Sequence, residues 1–195
     1  MRGFLLLLVL ILLSCSLLWA QKANLFSVRA GYLESSTIVD ITNTLLIRLA
    51  PLKTKPGFYV GFAYEHPLST WFTSQIELNF QQKGHQFRGF PKEADMRSRY
   101  NYIGVTPMIG IKLIQKLCFL IGPELNLLIS KSATWPDSKH AELGLVGRGR
   151  YQINRVGITG GYFRGLTVFD RSPTHTYSFT NQNWQVGLVY QVSKR

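Results

Sequence analysis

After residue 21, apolar and polar side chains alternate along much of the chain. This period of two is typical of β-strands whose two faces meet different environments. The clearest segment is 71–83, in which one set of alternate positions is apolar and the other carries amides and a carboxylate. Its apolar positions are Phe72, Ile76, Leu78 and Phe80, and its polar positions are Gln75, Glu77, Asn79 and Gln81. The pattern recurs in 99–113, 117–129 and 184–192.

Four weaker segments complete a set of eight: 26–32, 58–64, 140–151 and 155–163. Most run to about nine to thirteen residues, near the length that a tilted strand needs to cross a bilayer. No stretch after residue 21 has the length and apolarity of a membrane helix. The pattern predicts an all-β fold, an eight-stranded antiparallel up-and-down transmembrane β-barrel.

The connections between these segments alternate in length. The longer ones are 34–56, 84–98, 130–139 and 164–183, and the short ones are 65–70, 114–116 and 152–154. Outer-membrane barrels have long loops outside the cell and tight turns on the periplasmic side. A soluble sandwich or lipocalin-type barrel has no reason to sort its loops in this way. The alternation therefore favours the membrane barrel.

The first twenty residues resemble a secretory signal peptide. Arg2 supplies a positive start, residues 4–13 are an unbroken apolar run, and Ala20 is a small residue before a polar one. We therefore expect a signal peptide over 1–20, cleaved after Ala20, and a barrel domain over 21–195. A retained membrane anchor and a lipoprotein signal cut before Cys15 are the alternatives. Cleavage after Ala20 would leave Cys118 as the single thiol.

In a membrane barrel the apolar face meets lipid and the polar face lines the lumen. Six charged side chains are predicted to face this lumen: Arg29, Glu77, Glu124, Glu142, Arg148 and Arg150. Eight strands enclose a space that side chains can fill, so the charges must pair. We expect Glu77 and Glu124 to pair with the arginines. The lumen is then plugged, and a small polar channel is the alternative.

Tyrosine and tryptophan lie near the predicted strand ends, where membrane barrels carry aromatic girdles. The candidates are Tyr32, Tyr64, Trp71, Tyr100, Tyr102, Tyr151, Tyr162, Trp184 and Tyr190.

The chain is strongly basic, with 22 Lys and Arg against 10 Asp and Glu and a formal net charge of +12. The surplus falls mainly in the long connections, where Lys83 is also counted. We predict contacts with lipopolysaccharide phosphates for Lys53, Lys55, Arg88, Lys92, Arg97, Lys131, Lys139 and Arg171. A solvated loop surface is the alternative. Export and the dispersal of the cations over several loops argue against nucleic-acid binding.

Two pairs of segments carry a family resemblance. Residues 57–65 (GFYVGFAYE) and 75–84 (QIELNFQQKG) resemble the second and third strands of a small outer-membrane β-barrel domain of Bacteroidetes, the PorT-like proteins. Residues 102–107 (YIGVTP) and 120–125 (LIGPEL) resemble that family's next hairpin. The resemblance implies an outer-membrane barrel, permits a role in a secretion apparatus, and carries no catalytic residue.

Catalytic and metal-binding patterns are weak. His175 lies near Asp170, Ser172 and Ser178, but no Gly-x-Ser-x-Gly motif accompanies them. No His-x-x-x-His, no Cys pair and no Asp-rich calcium loop is present. We therefore expect no catalytic residue, cofactor or metal site.

The predicted function is that of a non-enzymatic outer-membrane protein with a structural, adhesion, envelope or secretion-associated role. Its expected partners are outer-membrane lipids, lipopolysaccharide, the barrel-insertion machinery and envelope or secretion-complex proteins. Two alternatives remain: an exported soluble β-barrel that binds an apolar ligand, and an enzyme that modifies lipid A.

Overall fold

The computed structural model describes residues 24–41, 53–87, 96–132, 140–168, 170–171 and 177–193. Its strands are β1 (Leu25–Ile41), β2 (Lys53–Pro67), β3 (Phe72–Phe87), β4 (Met96–Ile114), β5 (Leu117–Ser132), β6 (Ala141–Ile153), β7 (Val156–Gly165), β8 (Asp170–Arg171) and β9 (Tyr177–Gln191). Within these ranges no helix is long and apolar enough to cross a membrane. The predicted signal peptide, 1–20, lies outside the described residues.

The strands form one closed antiparallel sheet. Each of β1 to β6 pairs with the next strand, β7 pairs with β9, and β9 pairs back onto β1. The two-residue β8 pairs with β9 beside the wall. The wall itself therefore consists of eight strands, β1 to β7 and β9, and the predicted up-and-down barrel is confirmed. Closure gives each wall strand two paired neighbours.

At the upper end, the end of the long connections, the strands run further than predicted. β1 continues to Ile41 and pairs with β9 as far as Tyr177, although both stretches were expected to be loops. Backbone pairing does not need an apolar face, and residues 36–41 are rich in β-branched side chains, which favour strands. The strands consequently rise above the segment that alternates cleanly.

This extension changes the placement of the predicted loop cations. Lys53 and Lys55 lie on β2, Arg97 on β4 and Lys131 on β5, so these four are strand residues and not loop residues. Arg171 lies on the short strand β8. Arg88, Lys92 and Lys139 fall outside the described residues.

The lower end has tight turns, as expected. Two residues connect β4 to β5, and two connect β6 to β7. In the second turn, Asn154 has a φ of 54°, the left-handed conformation that asparagine tolerates better than most residues. These turns hold neighbouring strands in the register that sends their apolar side chains outward.

The two faces of the wall have opposite chemistry. Large apolar side chains point outward and are exposed, with Ile121 64% and Trp184 66% accessible. Inward positions on the same strands are polar and closed off, and Glu124 on β5 is 0% accessible. A protein dissolved in water has the reverse arrangement. The exposed apolar band therefore requires a lipid surrounding.

Tyr59 spans the lumen where the barrel closes. Gly31 on β1 pairs with Gly187 on β9, and an added Cβ on Gly187 would collide with the Tyr59 hydroxyl. Because both glycines lack a side chain, Tyr59 reaches from β2 across this seam to β7. Its hydroxyl lies 3.2 Å from Thr159 Oγ1. The first and last wall strands are thus covered from inside by one aromatic side chain.

Candidate functional site: the charged lumen and the outer rim

The middle layer of the lumen is an ion triad of Arg29, Glu77 and Arg148. A carboxylate oxygen of Glu77 lies 2.6 Å from Arg148 and 3.3 Å from Arg29, and all three side chains are at most 3% accessible. The Arg29 guanidinium also lies 4.7 Å from the centre of the Tyr59 ring. Sequence reasoning placed these residues inward, and the structure brings them together.

The upper layer consists of Lys83, Glu124 and Glu142. Lys83 Nζ lies 2.9 Å from Glu142 and 3.8 Å from Glu124, and the three side chains have no access to solvent. The ammonium also lies 3.8 Å from the centre of the Phe163 ring, a favourable cation–π position. Placing Lys83 in an outer loop was therefore wrong.

The alternation of inward and outward positions along β3 already predicts that the Lys83 side chain points inward. Lys83 has the same parity as Gln81, Asn79 and Glu77, and all four point inward. The predicted strand ends at Lys83, which was also counted among the loop cations. The strand instead continues to Phe87, so Lys83 lies inside the wall.

The lower layer joins Glu65, Lys112 and Arg150 near the tight turns. Glu65 lies 2.6 Å from Arg150 and 3.3 Å from Lys112, and it accepts a hydrogen bond from Thr73. Sequence reasoning left Glu65 in a short turn, although its parity on β2 points inward. A cavity of about 30 Å³ lies beside this layer, which is room for about two waters.

Not every predicted pairing occurs. Glu77 contacts two arginines, as expected. The expectation that Glu124 pairs with an arginine was wrong, because its charged partner is Lys83. Glu124 also accepts hydrogen bonds from Gln81 and Asn126 at 3.0 and 2.8 Å. Long-range strand register decides these partners, and alternation alone does not contain it.

One side of the lumen is apolar. A buried cluster fills it, made of Met108, Cys118, Leu120, Val146 and Phe163. These residues come from β4 to β7, whereas the arginine-rich middle layer draws on β1, β3 and β6. The free thiol of Cys118 is only 4% accessible and is part of this packing.

The aromatic residues divide between two environments. Tyr32, Trp184 and Tyr190 point outward and are exposed, as expected of girdle residues. Tyr100 and Tyr102 are 1% and 0% accessible and lie inside the lumen. Assigning these two to a girdle was wrong, because their parity on β4 matches that of inward Gly104 and Thr106.

A belt of polar side chains marks the upper limit of the lipid-facing band. Asn101 receives a hydrogen bond from Gln82 at 3.1 Å and donates one to Ser130 at 2.7 Å, which links β3, β4 and β5 on the outer surface. Beyond the belt, Arg99 is exposed and has the outward parity of Asn101. Lys131 is also exposed, but it pairs with inward Tyr100 and so lies on the lumen side of β5. This arrangement places Arg99 at the height of lipid headgroups.

His85 lies above this belt, outside the membrane-spanning segment. Its Nδ1 is 3.2 Å from Thr37 Oγ1, and its ring lies 5.8 Å from that of Tyr100. Burial, and secondly the positive charge of Lys55, lower the pKa of His85 to about 4. Lys55 itself donates a hydrogen bond to the Ser98 carbonyl at 2.8 Å. His85 is therefore neutral at physiological pH.

No group of three or more His, Cys, Asp or Glu side chains in the described ranges is arranged to hold a metal ion. Of the suggested Ser-His-Asp residues, His175 and Ser172 lie outside the described residues. The described charged side chains of the lumen form a set of ion pairs.

No family model and no curated protein matches the sequence. Among solved structures, the outer membrane protein OprG from Pseudomonas aeruginosa is similar, with a TM-score of 0.54 and 10% identity over 89% of this chain and 98% of that chain. Neisserial surface protein A (NspA) is similar with a TM-score of 0.53 and 12% identity, over 87% of this chain and 99% of that one. At such identities the likeness shows the fold.

The outward apolar band, the charged lumen and the closed wall define a transmembrane β-barrel of the outer-membrane class. The chain is an outer-membrane β-barrel protein, in a setting of lipid and lipopolysaccharide. An exported soluble barrel does not fit, because the large apolar side chains face outward.

We predict that Glu77→Gln destabilises the barrel by about 3–5 kcal/mol, because two buried arginines lose their carboxylate. Urea unfolding of the protein refolded into lipid vesicles measures this. Glu34→Gln is the matched control: Glu34 accepts a hydrogen bond from Thr54 at the exposed surface, and its loss is expected to cost less than about 1 kcal/mol. Equal effects of the two substitutions would contradict a structural role for the triad.

A second prediction concerns acid. His85 takes up a proton near pH 6.5 in the unfolded chain and near pH 4 in the folded one, so the unfolding free energy falls as pH drops between these values. His85→Gln removes this contribution. Urea unfolding at pH 7.5 and 4.5 compares the two proteins, and an identical loss of stability in both would refute the assignment.

Proposed function

We propose that the protein is a non-enzymatic outer-membrane barrel with a closed lumen that serves a structural, adhesion or secretion-associated role at the cell surface. The observation that carries the proposal is the stack of three ion-pair layers filling the inside of the wall. A conducting pore needs a continuous hydrated path, whereas the side chains of the middle and upper layers are at most 3% accessible.

The charge balance of the interior supports closure. The middle and upper layers together hold three carboxylates and three cations, all at most 3% accessible. The Tyr59 side chain also extends across this space, and its hydroxyl contacts Thr159. An eight-stranded barrel is just wide enough for its own side chains. The lumen could therefore open only if the side chains of a whole layer left it.

An exposed cation above the polar belt supports a contact with lipopolysaccharide. Arg99 lies on the outer face of β4 beyond the Gln82–Asn101–Ser130 links, where lipid phosphates would be found. A charge-assisted hydrogen bond from Arg99 to a phosphate oxygen would anchor the barrel laterally. This role suits a protein whose interior is closed and whose outer end is extended.

The dispersal of the histidines supports a non-enzymatic role. His66 lies near the lower turns, where Nδ1 is 2.6 Å from Asn24 Oδ1, while His85 contacts Thr37 at the upper end. Catalysis by a nucleophile and a base needs both within hydrogen-bond reach of one another. Of the three described histidines, His66 lies at the lower end of the barrel, and His85 and His140 lie at the upper end.

The PorT-like resemblance adds a finer hypothesis. The first two segments that resemble this family, 57–65 and 75–84, lie on β2 and β3 within the wall. The resemblance therefore concerns how the barrel is built. On that basis we propose that the barrel-insertion machinery folds the chain and that its extended upper strands contact an envelope or secretion complex.

Conductance tests the closed lumen. In planar bilayers at high KCl, the wild-type protein is expected to give no discrete current steps. A variant with Ala at all six positions of the middle and upper layers removes both closed layers as units and leaves none of their charges unpaired, so it is expected to conduct. Regular steps from the wild type, equal to those of the variant, would rule out the plug.

Lipid binding tests the outer rim. Arg99→Ser is expected to retain less lipopolysaccharide through detergent purification than the wild type, and Gln82→Ser, on the same outer surface, serves as the uncharged control. Mass spectrometry of the lipid A recovered from the same preparations examines catalysis. Equal retention argues against the rim contact, and a changed acylation pattern that requires the protein argues for an enzyme.

A further inference from the structure

The upper layer of the lumen is the one in which carboxylates outnumber cations. Glu124 and Glu142 share a single ammonium, that of Lys83. The middle layer has two arginines for one carboxylate, and the lower layer has two cations for Glu65. The six ions of the middle and upper layers balance in total, but the surplus cation belongs to the middle layer and the surplus carboxylate to the upper one. The upper layer by itself therefore carries one negative charge more than its own cation neutralises.

The negative charge that Lys83 leaves unneutralised can be assigned to one carboxylate oxygen of Glu142. Glu142 Oε2 accepts from Lys83 at 2.9 Å and from Asn126 at 3.4 Å. Glu142 Oε1 is buried and has no hydrogen-bond partner. A carboxylate oxygen can only accept, so whatever satisfies it is a cation or a hydrogen-bond donor.

A glycine makes space beside this oxygen. An added Cβ on Gly165 of β7 would lie 3.3 Å from Glu142 Oε1 and 2.9 Å from the main-chain oxygen of Asn181. The Glu142 carboxylate, on β6, thus lies above Gly165 and extends toward β9. Any larger residue at position 165 would fill the space between them.

Asn181, whose main chain lies on the other side of this space, also has polar groups without partners. Asn181 is 1% accessible, and neither the oxygen nor the nitrogen of its side-chain amide has a partner. Asn126 Oδ1 and Gln81 Oε1, which belong to the network around Glu124, are likewise buried without partners. Four open oxygens on four strands surround the layer that lacks one positive charge.

We propose that the upper lumen binds one monovalent metal cation over Gly165. Its ligands are Glu142 Oε1 and the main-chain oxygen of Asn181, which lie 3.3 and 2.9 Å from the position of a Cβ on Gly165, with the unpartnered side-chain amide of Asn181 and water completing the shell. Carboxylate, amide and water oxygens are the donors that hard cations take. Lys83, 2.9 Å from the other oxygen of Glu142, disfavours a divalent ion through repulsion. The site is independent of the proposed function, because a closed or an open lumen can hold it.

The salt dependence of unfolding tests the site. Protein refolded into zwitterionic vesicles is unfolded by urea in NaCl, KCl or N-methylglucamine chloride at equal ionic strength. The organic cation is too large for the cradle. At a Na⁺ or K⁺ concentration ten times the dissociation constant, the unfolding equilibrium constant is expected to be about 10-fold lower than in N-methylglucamine. Equal unfolding in all three salts means that water alone occupies the space and overturns the proposal.

Two substitutions on one strand give a matched comparison. Gly165→Ala fills the cradle and is expected to abolish the preference for metal cations. Gly161→Ala is the control, because its Cβ would meet Arg148 and the Gly147 carbonyl, away from Glu142. If Gly165→Ala keeps the full cation preference, the proposed position is refuted.

A direct measurement on the wild type covers the case in which Gly165→Ala does not fold. Line broadening of ²³Na by the refolded protein, reversed by added K⁺, is expected from a specific site. Absence of broadening that K⁺ can reverse would overturn the proposal.

Discussion

Lipid tails accept no hydrogen bonds, and the rest of the structure depends on that constraint. Each backbone N–H and C=O within the membrane must find its partner in the chain itself, and a sheet achieves this only when its first and last strands meet. Here β1 pairs with β9 from Ser27 to Ile41, and Gly31 and Gly187 allow Tyr59 to lie across the join. Closure then creates an interior that must be filled.

Charged side chains can fill a narrow interior only when each one lies beside a charge of opposite sign. Glu77 between two arginines and Lys83 between two glutamates are opposite solutions of the same electrostatic problem. The three layers together hold five cations and four carboxylates, so the interior contributes only one unit to the net charge of +12. Most of the positive surplus therefore lies outside the lumen, and Arg99 on the outer face of β4 is one exposed example.

Much of this was accessible from alternation. The eight strands, the outward apolar face and the inward positions of Arg29 and Glu77 follow from a period of two, because lipid on one side of the wall and side chains on the other impose it locally. The errors occurred where local character was weighed above parity. Lys83, Tyr100 and Tyr102 were assigned to loops or girdles for their chemistry, although their parity already pointed inward.

The sequence by itself determined the kind of wall, the orientation of its faces and the tight turns, because each of these is written in neighbouring residues. Only the tertiary structure decided which charges meet. Glu142 reaches Lys83 across 59 positions and Arg148 reaches Glu77 across 71. Such partners are selected by strand register and by the curvature that brings β3 opposite β6, and both come into being when the barrel closes.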